Sequence, residues 1–172
     1  MKSTLYLFLI LILFSCKSSK LNLDLTKINT KVEHYQNGKI KNVVNTDSLT
    51  GLRIGFYNEF YENGKLKESG NYILDSYKQC CVAGLCDEYY SYKYGEWIYY
   101  HENGKIKAKG IYRIGKINRN TSCEGGAEIN FGFVTEKWKF YDEDGNEIKP
   151  NSIEITEIEK SSYITEWDLL RK

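Results

Sequence analysis

The sequence predicts an all-β fold: an open antiparallel meander of repeated β-hairpins, closed by a short C-terminal capping element. Three observations carry this expectation. One pattern is written twice with little change, as Gly55-Phe56-Tyr57-Asn58-Glu59-Phe60-Tyr61-Glu62-Asn63-Gly64-Lys65-Leu66-Lys67 and as Gly95-Glu96-Trp97-Ile98-Tyr99-Tyr100-His101-Glu102-Asn103-Gly104-Lys105-Ile106-Lys107. A partial copy precedes them from His34 to Lys41, and a decayed one follows from Lys137 to Ile148. A fixed-period repeat marks an array built from one supersecondary unit. Each copy also centres on Asn-Gly or Asp-Gly, the strongest short-range hairpin signal. Around those turns the residues alternate: Trp97, Tyr99, Ile106, Ala108, Gly110 and Tyr112 share one face, and Glu96, Lys105, Lys107 and Lys109 share the other.

The first segment is an address rather than a fold element. Lys2 precedes an apolar run over residues 5–14 broken only by Tyr6. That run is shorter than the roughly twenty residues needed to span a bilayer. Leu13-Phe14-Ser15-Cys16 resembles the lipobox of bacterial lipoproteins, whose cysteine is lipidated and becomes the first residue of the mature chain. The resemblance implies a signal peptide over 1–15, lipidation at Cys16 and a lipid-anchored place in the bacterial cell envelope, with the membrane as one partner. The alternative is an uncleaved anchor carrying an incidental cysteine. Residues 16–30 read as a tether holding the domain off the membrane. No acidic run follows Cys16, and by the same resemblance this favours the outer membrane, facing the periplasm.

Two-residue type I′ turns at Asn63-Gly64 and Asn103-Gly104 set the register of the two full copies. Glu62 then faces Lys65, Tyr61 faces Leu66 and Tyr57 faces Gly70; Glu102 faces Lys105, His101 faces Ile106 and Trp97 faces Gly110. Each Glu–Lys pair beside a tip is electrostatically favourable, and each aromatic lies over a strand glycine that leaves room for its ring. Glu59 and Glu68 break the alternation of the first copy. Phe60, Tyr100 and Tyr141 fall on the opposite face from the main aromatic set, so either both faces are partly covered or a bulge shifts the register.

With these residues in place the chain resembles the MORN-repeat variant family of bacterial lipoproteins. Gly55, Tyr61, Asn63, Gly64, Lys65, Leu66, Lys67 and Gly70 carry the match, and so do Gly95, Trp97, Tyr100, Asn103, Gly104, Lys105, Ile106, Lys107 and Gly110. The resemblance implies an open, twisted antiparallel sheet of MORN-like hairpins, here over residues 31–149. Some members carry the label of an antitoxin in a toxin–antitoxin pair. The spacing departs from the family: tips recur 40 and 41 residues apart, from Gly64 to Gly104 to Gly145, where such repeats recur in roughly the low twenties. The excess occupies residues 77–93 and 113–136, expected as two long loops.

Those loops hold or adjoin Cys80, Cys81, Cys86 and Cys123. An even number of cysteines in an exported chain suggests disulfides. Adjacent Cys80 and Cys81 do not pair with each other, so one bonds to Cys86 and the other to Cys123. A four-thiolate zinc site fits less well, because the fourth cysteine stands apart from the paired spacing that zinc sites use. Residues 150–172 read as a cap. Ile153, Ile155 and Ile158 begin as strand-like alternation, and Tyr163, Trp167 and Leu170 fall at helical spacing behind Ser161 or Ser162.

Chemistry is sparse. His34 and His101 sit near separate tips and form no catalytic constellation. No nucleophile elbow, zincin helix or phosphate-cradling loop occurs. Residues 142–147 lack calcium-loop spacing. The expectation is therefore a chain that is not an enzyme and needs no metal and no other cofactor. With Lys2 removed, 23 Lys plus Arg balance 23 Asp plus Glu, which gives no basic face for nucleic acid. Tyr89, Tyr90, Tyr92 and Tyr94, with Trp97 and Tyr99, are the candidate binding surface, since tyrosine is enriched where proteins bind. The plain alternative is that most of them form the core. The expected function is a protein-binding repeat module of a non-catalytic envelope lipoprotein. The other readings are peptidoglycan or glycan binding by exposed Tyr and Trp, and an immunity-type antitoxin against a secreted toxin.

Overall fold

The computed structural model describes residues 27–165; the leader, Cys16, most of the tether, Trp167 and Leu170 lie outside them. In chain order the elements are β1 (Ile28–His34), β2 (Ile40–Asp47), β3 (Arg53–Phe60), β4 (Leu66–Cys81), β5 (Gly84–Tyr100), β6 (Ile106–Arg119), β7 (Ala127–Phe133), β8 (Lys139–Tyr141), β9 (Glu147–Ile148), α1 (Ser152–Lys160) and β10 (Tyr163–Thr165). The strands pair antiparallel in the order β1 to β6, then β8 and β9, while β7 pairs with β6 and β10 with β5. This is the all-β meander that the repeats require.

Tyr57 lies opposite Gly70 and Trp97 opposite Gly110, as the register argument expects. The tips differ. Phe60 pairs with Leu66 and Tyr100 with Ile106, one residue off the expected register. The Tyr61 N–H donates to the Lys65 carbonyl and the Gly64 N–H to the Tyr61 carbonyl, both at 2.8 Å. Gly64 has φ of 90°, and no described non-glycine residue has positive φ. Each tip is thus a type I turn followed by a left-handed glycine bulge rather than a type I′ turn. The Asn-Gly dipeptide fits both, and the bulged form spares asparagine the left-handed backbone that costs an L-residue roughly 1–2 kcal/mol. The bulge also accounts for Phe60, Tyr100 and Tyr141.

Asn63 spends its side chain differently. Its Oδ1 accepts from the Lys65 N–H at 2.8 Å, and its Nδ2 donates to the Glu102 carbonyl of the next tip at 2.9 Å. Tyr61 Oη donates to the Tyr100 carbonyl at 2.7 Å and Lys65 Nζ to the Asn103 carbonyl at 2.7 Å. The same three bonds run from Tyr35, Asn37 and Lys39 to the carbonyls of Phe60, Glu62 and Asn63. They recur from His101, Asn103 and Lys105 to those of Tyr141, Glu143 and Asp144. The repeated Tyr-x-Asn-Gly-Lys is therefore a clasp from each hairpin tip to the next. It also redirects the lysines: Lys65 and Lys105 reach forward instead of pairing with Glu62 and Glu102. The fourth tip has Asp142, Asp144 and Asn146 where donors stood, and Asp142 Oδ1 turns inward to accept the N–H groups of Asp144 and Asn146. Its decay follows from its place, since among the described residues no further tip follows it.

The two insertions are not loops. β4 and β5 run on in register from Asn71–Tyr94 to Cys81–Gly84, and β6 and β7 form a second hairpin from Arg113–Phe133 to Arg119–Ala127. The second hairpin lies across the first. The Asn130 N–H donates to Tyr90 Oη at 2.9 Å, Asn130 Nδ2 to Asp75 Oδ2 at 2.9 Å, and Arg119 Nε to Tyr77 Oη at 3.1 Å. Tyr77, Tyr90, Tyr92 and Ile129 form a core of their own between them.

Of the two connectivities left open by sequence, the structure holds Cys80–Cys123 and Cys81–Cys86. The first joins the two hairpins and the second closes the tip of the longer one. The chain-entropy argument scales with loop length. Cys80→Ser/Cys123→Ser, opening a separation of 43 residues, is expected to lose about 4 kcal/mol. Cys81→Ser/Cys86→Ser, opening a separation of 5, is expected to lose about 2 kcal/mol. Urea unfolding of the two variants checks the order, and a larger loss from the short loop would contradict it.

The tail reverses the sequence expectation. The helix is α1, formed by the isoleucines, and Tyr163 belongs to strand β10, pairing with Tyr92 of β5. The decisive signal is a capping box: Asn151 Oδ1 accepts from the Glu154 N–H at 2.9 Å and the Asn151 N–H donates to Glu154 Oε2 at 3.0 Å. Ile155 and Ile158 then fall one turn apart on the face against the sheet, while Ile153 stays exposed. Beneath α1 lies the main core of Val44, Tyr57, Tyr72, Trp97, Ala108, Tyr112, Trp138 and Phe140.

Candidate functional site

One face of the sheet is covered, and a buried cation sits at its centre. Lys93 pairs across strands with Tyr72, which turns its side chain inward. It is 0% exposed. Its Nζ donates to Glu68 Oε2 at 2.9 Å, to Tyr99 Oη at 3.0 Å and to Ser161 Oγ at 3.0 Å, so all three protons have acceptors. The Trp97 ring centroid lies 3.9 Å away. Burial pulls the Lys93 pKa below its ordinary value, and the Glu68 carboxylate opposes that pull.

Glu59 and Glu68, which break the sequence alternation, face each other across β3 and β4. Each holds its own cation, Lys67 at 2.8 Å and Lys93 at 2.9 Å. Burial raises the Glu59 pKa, but hydrogen bonds from Lys67 and Tyr57 outweigh it and hold the carboxyl below its usual range. Arg53 lies over the rings of Tyr57 and Tyr72, 4.2 and 5.3 Å from their centroids.

Most of the candidate tyrosine surface is core. Tyr90, Tyr92 and Trp97 are buried, Tyr94 and Tyr99 are half-buried, and of the six only Tyr89 reaches the surface. The reason is the second hairpin: β7 covers the face on which Tyr90 and Tyr92 alternate. Burial raises the pKa of Tyr57, Tyr72, Tyr90, Tyr99 and Tyr112 above the ordinary value of 10.0. A group whose folded pKa is raised contributes stability that is intact below its unfolded pKa and lost above it. Stability is therefore expected to fall steeply as pH rises past about 10, where unfolded tyrosines ionise. Denaturant titrations from pH 8 to 11 check this, and a flat profile would contradict it.

The opposite face is open and mixed. Phe56 pairs with Asn71, Glu96 with Ile111, and Ser69 with Ile98, which itself pairs with Lys109. Phe56 is 40% and Ile111 65% exposed. Phe56, Asn58, Ser69, Asn71, Glu96 and Ile98 line a shallow cleft of about 350 Å³. Sequence reasoning missed this apolar set because it scored the face as polar from its lysines and Glu96. The alternation that places Glu96 outside also places Ile98 and Ile111 there, and that signal was available.

The remaining expected groups are dispersed. His34 is exposed at the end of β1, and His101 stands in the place of a tip tyrosine, its Nε2 2.9 Å from the Tyr141 carbonyl. Among the described residues no three His, Cys, Asp or Glu side chains gather so as to hold a metal ion.

No curated protein and no solved structure matches the chain. The family model described as MORN repeat variant matches residues 50–73 and 93–113. Repeats of this family are generally non-catalytic modules that bind protein or membrane. The matched stretches contain the tip clasp donors Tyr61, Asn63 and Lys65 and their counterparts His101, Asn103 and Lys105, with the receiving glycines Gly70 and Gly110, and over these two repeats the chain is similar to the MORN repeat variant family.

Proposed function

We propose that the chain is a non-catalytic, protein-binding lipoprotein of the bacterial cell envelope, tethered through Cys16 on the periplasmic side of the outer membrane. The observation that supports binding is the asymmetry of the sheet. One face carries α1 and the second hairpin, whereas the other presents Phe56, Ile98 and Ile111 among polar residues and lysines. Exposed apolar groups rimmed by polar ones are the composition of a protein-contact surface. The resemblance of residues 13–16 to a lipobox supports the anchorage. Glycan binding needs exposed Tyr and Trp platforms, and Trp97 and Trp138 are both buried here.

In-cell crosslinking of the tagged chain, with Ile111→Glu and Phe56→Glu variants alongside, tests the binding face. A single near-stoichiometric protein captured by the parent chain and lost from both variants is the expected result. Capture unchanged by either variant, or of no protein at all, rejects the open face. Fractionation of Cys16→Ser tests the anchorage: release from the membrane fraction is expected, and retention rejects lipidation.

A further inference from the structure

The inward face of the sheet continues from the main core onto β1, β2 and β3. There Lys31, Glu33, Asn42, Val44 and Arg53 line a cleft of about 200 Å³. The register places them together: Lys31 pairs with Val44 and Glu33 with Asn42 across β1 and β2, while Val44 pairs with Tyr57 and Thr46 with Arg53 across β2 and β3. Val44, 6% exposed, is the floor.

Two features of the cleft go unused by the fold. The Arg53 guanidinium is fixed over the Tyr57 and Tyr72 rings and donates from Nη1 to Tyr72 Oη at 2.9 Å. It makes no other hydrogen bond among the described residues, so most of its five N–H donors remain, already oriented. Asn42 is 4% exposed; its Nδ2 donates to Glu33 Oε2 at 2.6 Å, but its Oδ1 is buried without a partner among the described residues. A buried acceptor left unpaired costs about 1–3 kcal/mol, so its persistence calls for an explanation such as a donor that arrives from outside.

We propose that this cleft binds the C-terminal carboxylate of a peptide. The carboxylate takes the free edge of the Arg53 fork, which matches two coplanar oxygens, with Lys31 at the rim adding a second positive charge. The terminal amide N–H lies where Asn42 Oδ1 needs a donor, and a small apolar side chain rests on Val44. The volume admits one or two residues, being below the roughly 300–1,000 Å³ of sites for drug-sized ligands. The Glu33 carboxylate beside the anion position favours a singly charged ligand over phosphate. The site is separate from the open face, so its success or failure is independent of the protein-binding proposal.

An NMR titration of the ¹⁵N-labelled chain with N-acetylalanine, N-acetylalanine amide and inorganic phosphate tests this. N-acetylalanine is expected to shift the Asn42 side-chain amide and the Arg53 Nε signals saturably. The amide and phosphate are each expected to bind at least tenfold more weakly. Lys31→Glu, at an exposed position, and Arg53→Lys, which keeps the charge but loses the fork, are each expected to weaken N-acetylalanine at least tenfold. Equal binding of the amide, tighter binding of phosphate, or unchanged binding by Lys31→Glu would overturn the proposal. Should Arg53→Lys fail to fold, Lys31→Glu carries the test alone.

Discussion

Gly70→Ala is expected to cost the fold about 3 kcal/mol, at the upper end of overpacking penalties, which is more than a hundredfold in the folding equilibrium. Trp97 is the cause. A Cβ on Gly70 would stand 2.2 Å from two atoms of the Trp97 indole. The indole has nowhere to retreat: it is 0% exposed and packed against Tyr57, Tyr72, Tyr99 and Tyr112. Its Nε1 also donates to the Asn71 carbonyl at 3.2 Å. Gly110→Ala should behave alike, since its Cβ would meet the Trp138 ring at 2.4 Å. Gly38→Ala is the control, with nothing within 4 Å of its Cβ and only a φ of 80° to accommodate. Urea unfolding of the three variants gives the ranking. Trp97→Phe in the Gly70→Ala background should recover part of the loss, because a smaller ring makes the room. Additive losses in that double variant would show that the ring and the glycine do not share the space.

That pair also shows how far the sequence could be read. Period-two alternation and the turn position are enough to set Trp97 opposite Gly110, and the structure agrees. They do not say which way the ring leans. The indole of each tryptophan lies back over the glycine of the preceding copy, Trp97 over Gly70 and Trp138 over Gly110, because stacking of neighbouring hairpins decides side-chain direction. The tip clasp was hidden for the same reason: Asn63 reads locally as a turn former, while its amide serves the next tip 39 residues on. The second hairpin was legible in part. Tyr90 and Tyr92 share one face and Gly84 marks a turn, while four cysteines at irregular spacing are equally compatible with stapled loops. The capping box of Asn151 and Glu154 is a purely local signal, but the sequence reading rests on the alternation of the isoleucines and on Ser161 or Ser162 as the cap. Glu68 and Lys93 lay beyond reach, since a charged residue at an inward position has meaning only when its partner is known.

Glu68→Gln is expected to cost about 3 kcal/mol near neutral pH, the lower end of the range for breaking a buried ion pair. Lys93 would keep Tyr99 Oη, Ser161 Oγ and the Trp97 face, which holds the loss to that end. It would lose the main charge that opposes the effect of burial on its pKa, leaving only the weaker pull of Glu59. The sign of the pH dependence follows. A lysine whose folded pKa lies below its unfolded value of about 10.4 binds fewer protons folded than unfolded across that interval, so stability rises with pH there. The loss in Glu68→Gln should therefore shrink between pH 7 and about 10, before tyrosine ionisation reverses the trend. Removing both charges separates ion-pair worth from burial cost. Lys93→Met/Glu68→Leu should lie within about 1 kcal/mol of the parent, because an apolar pair of similar volume avoids both desolvation penalties. The former partners also keep other bonds: Tyr99 Oη to Tyr112 Oη at 2.8 Å, and Ser161 Oγ to the Ile158 carbonyl at 2.8 Å. Denaturant titrations of the single and double variants at pH 7 and 9.5 decide the matter. A single-variant loss that grows with pH, or a double variant as damaged as Glu68→Gln, would mean that the Lys93–Glu68 pair holds the covered face together rather than merely satisfying a charge buried there.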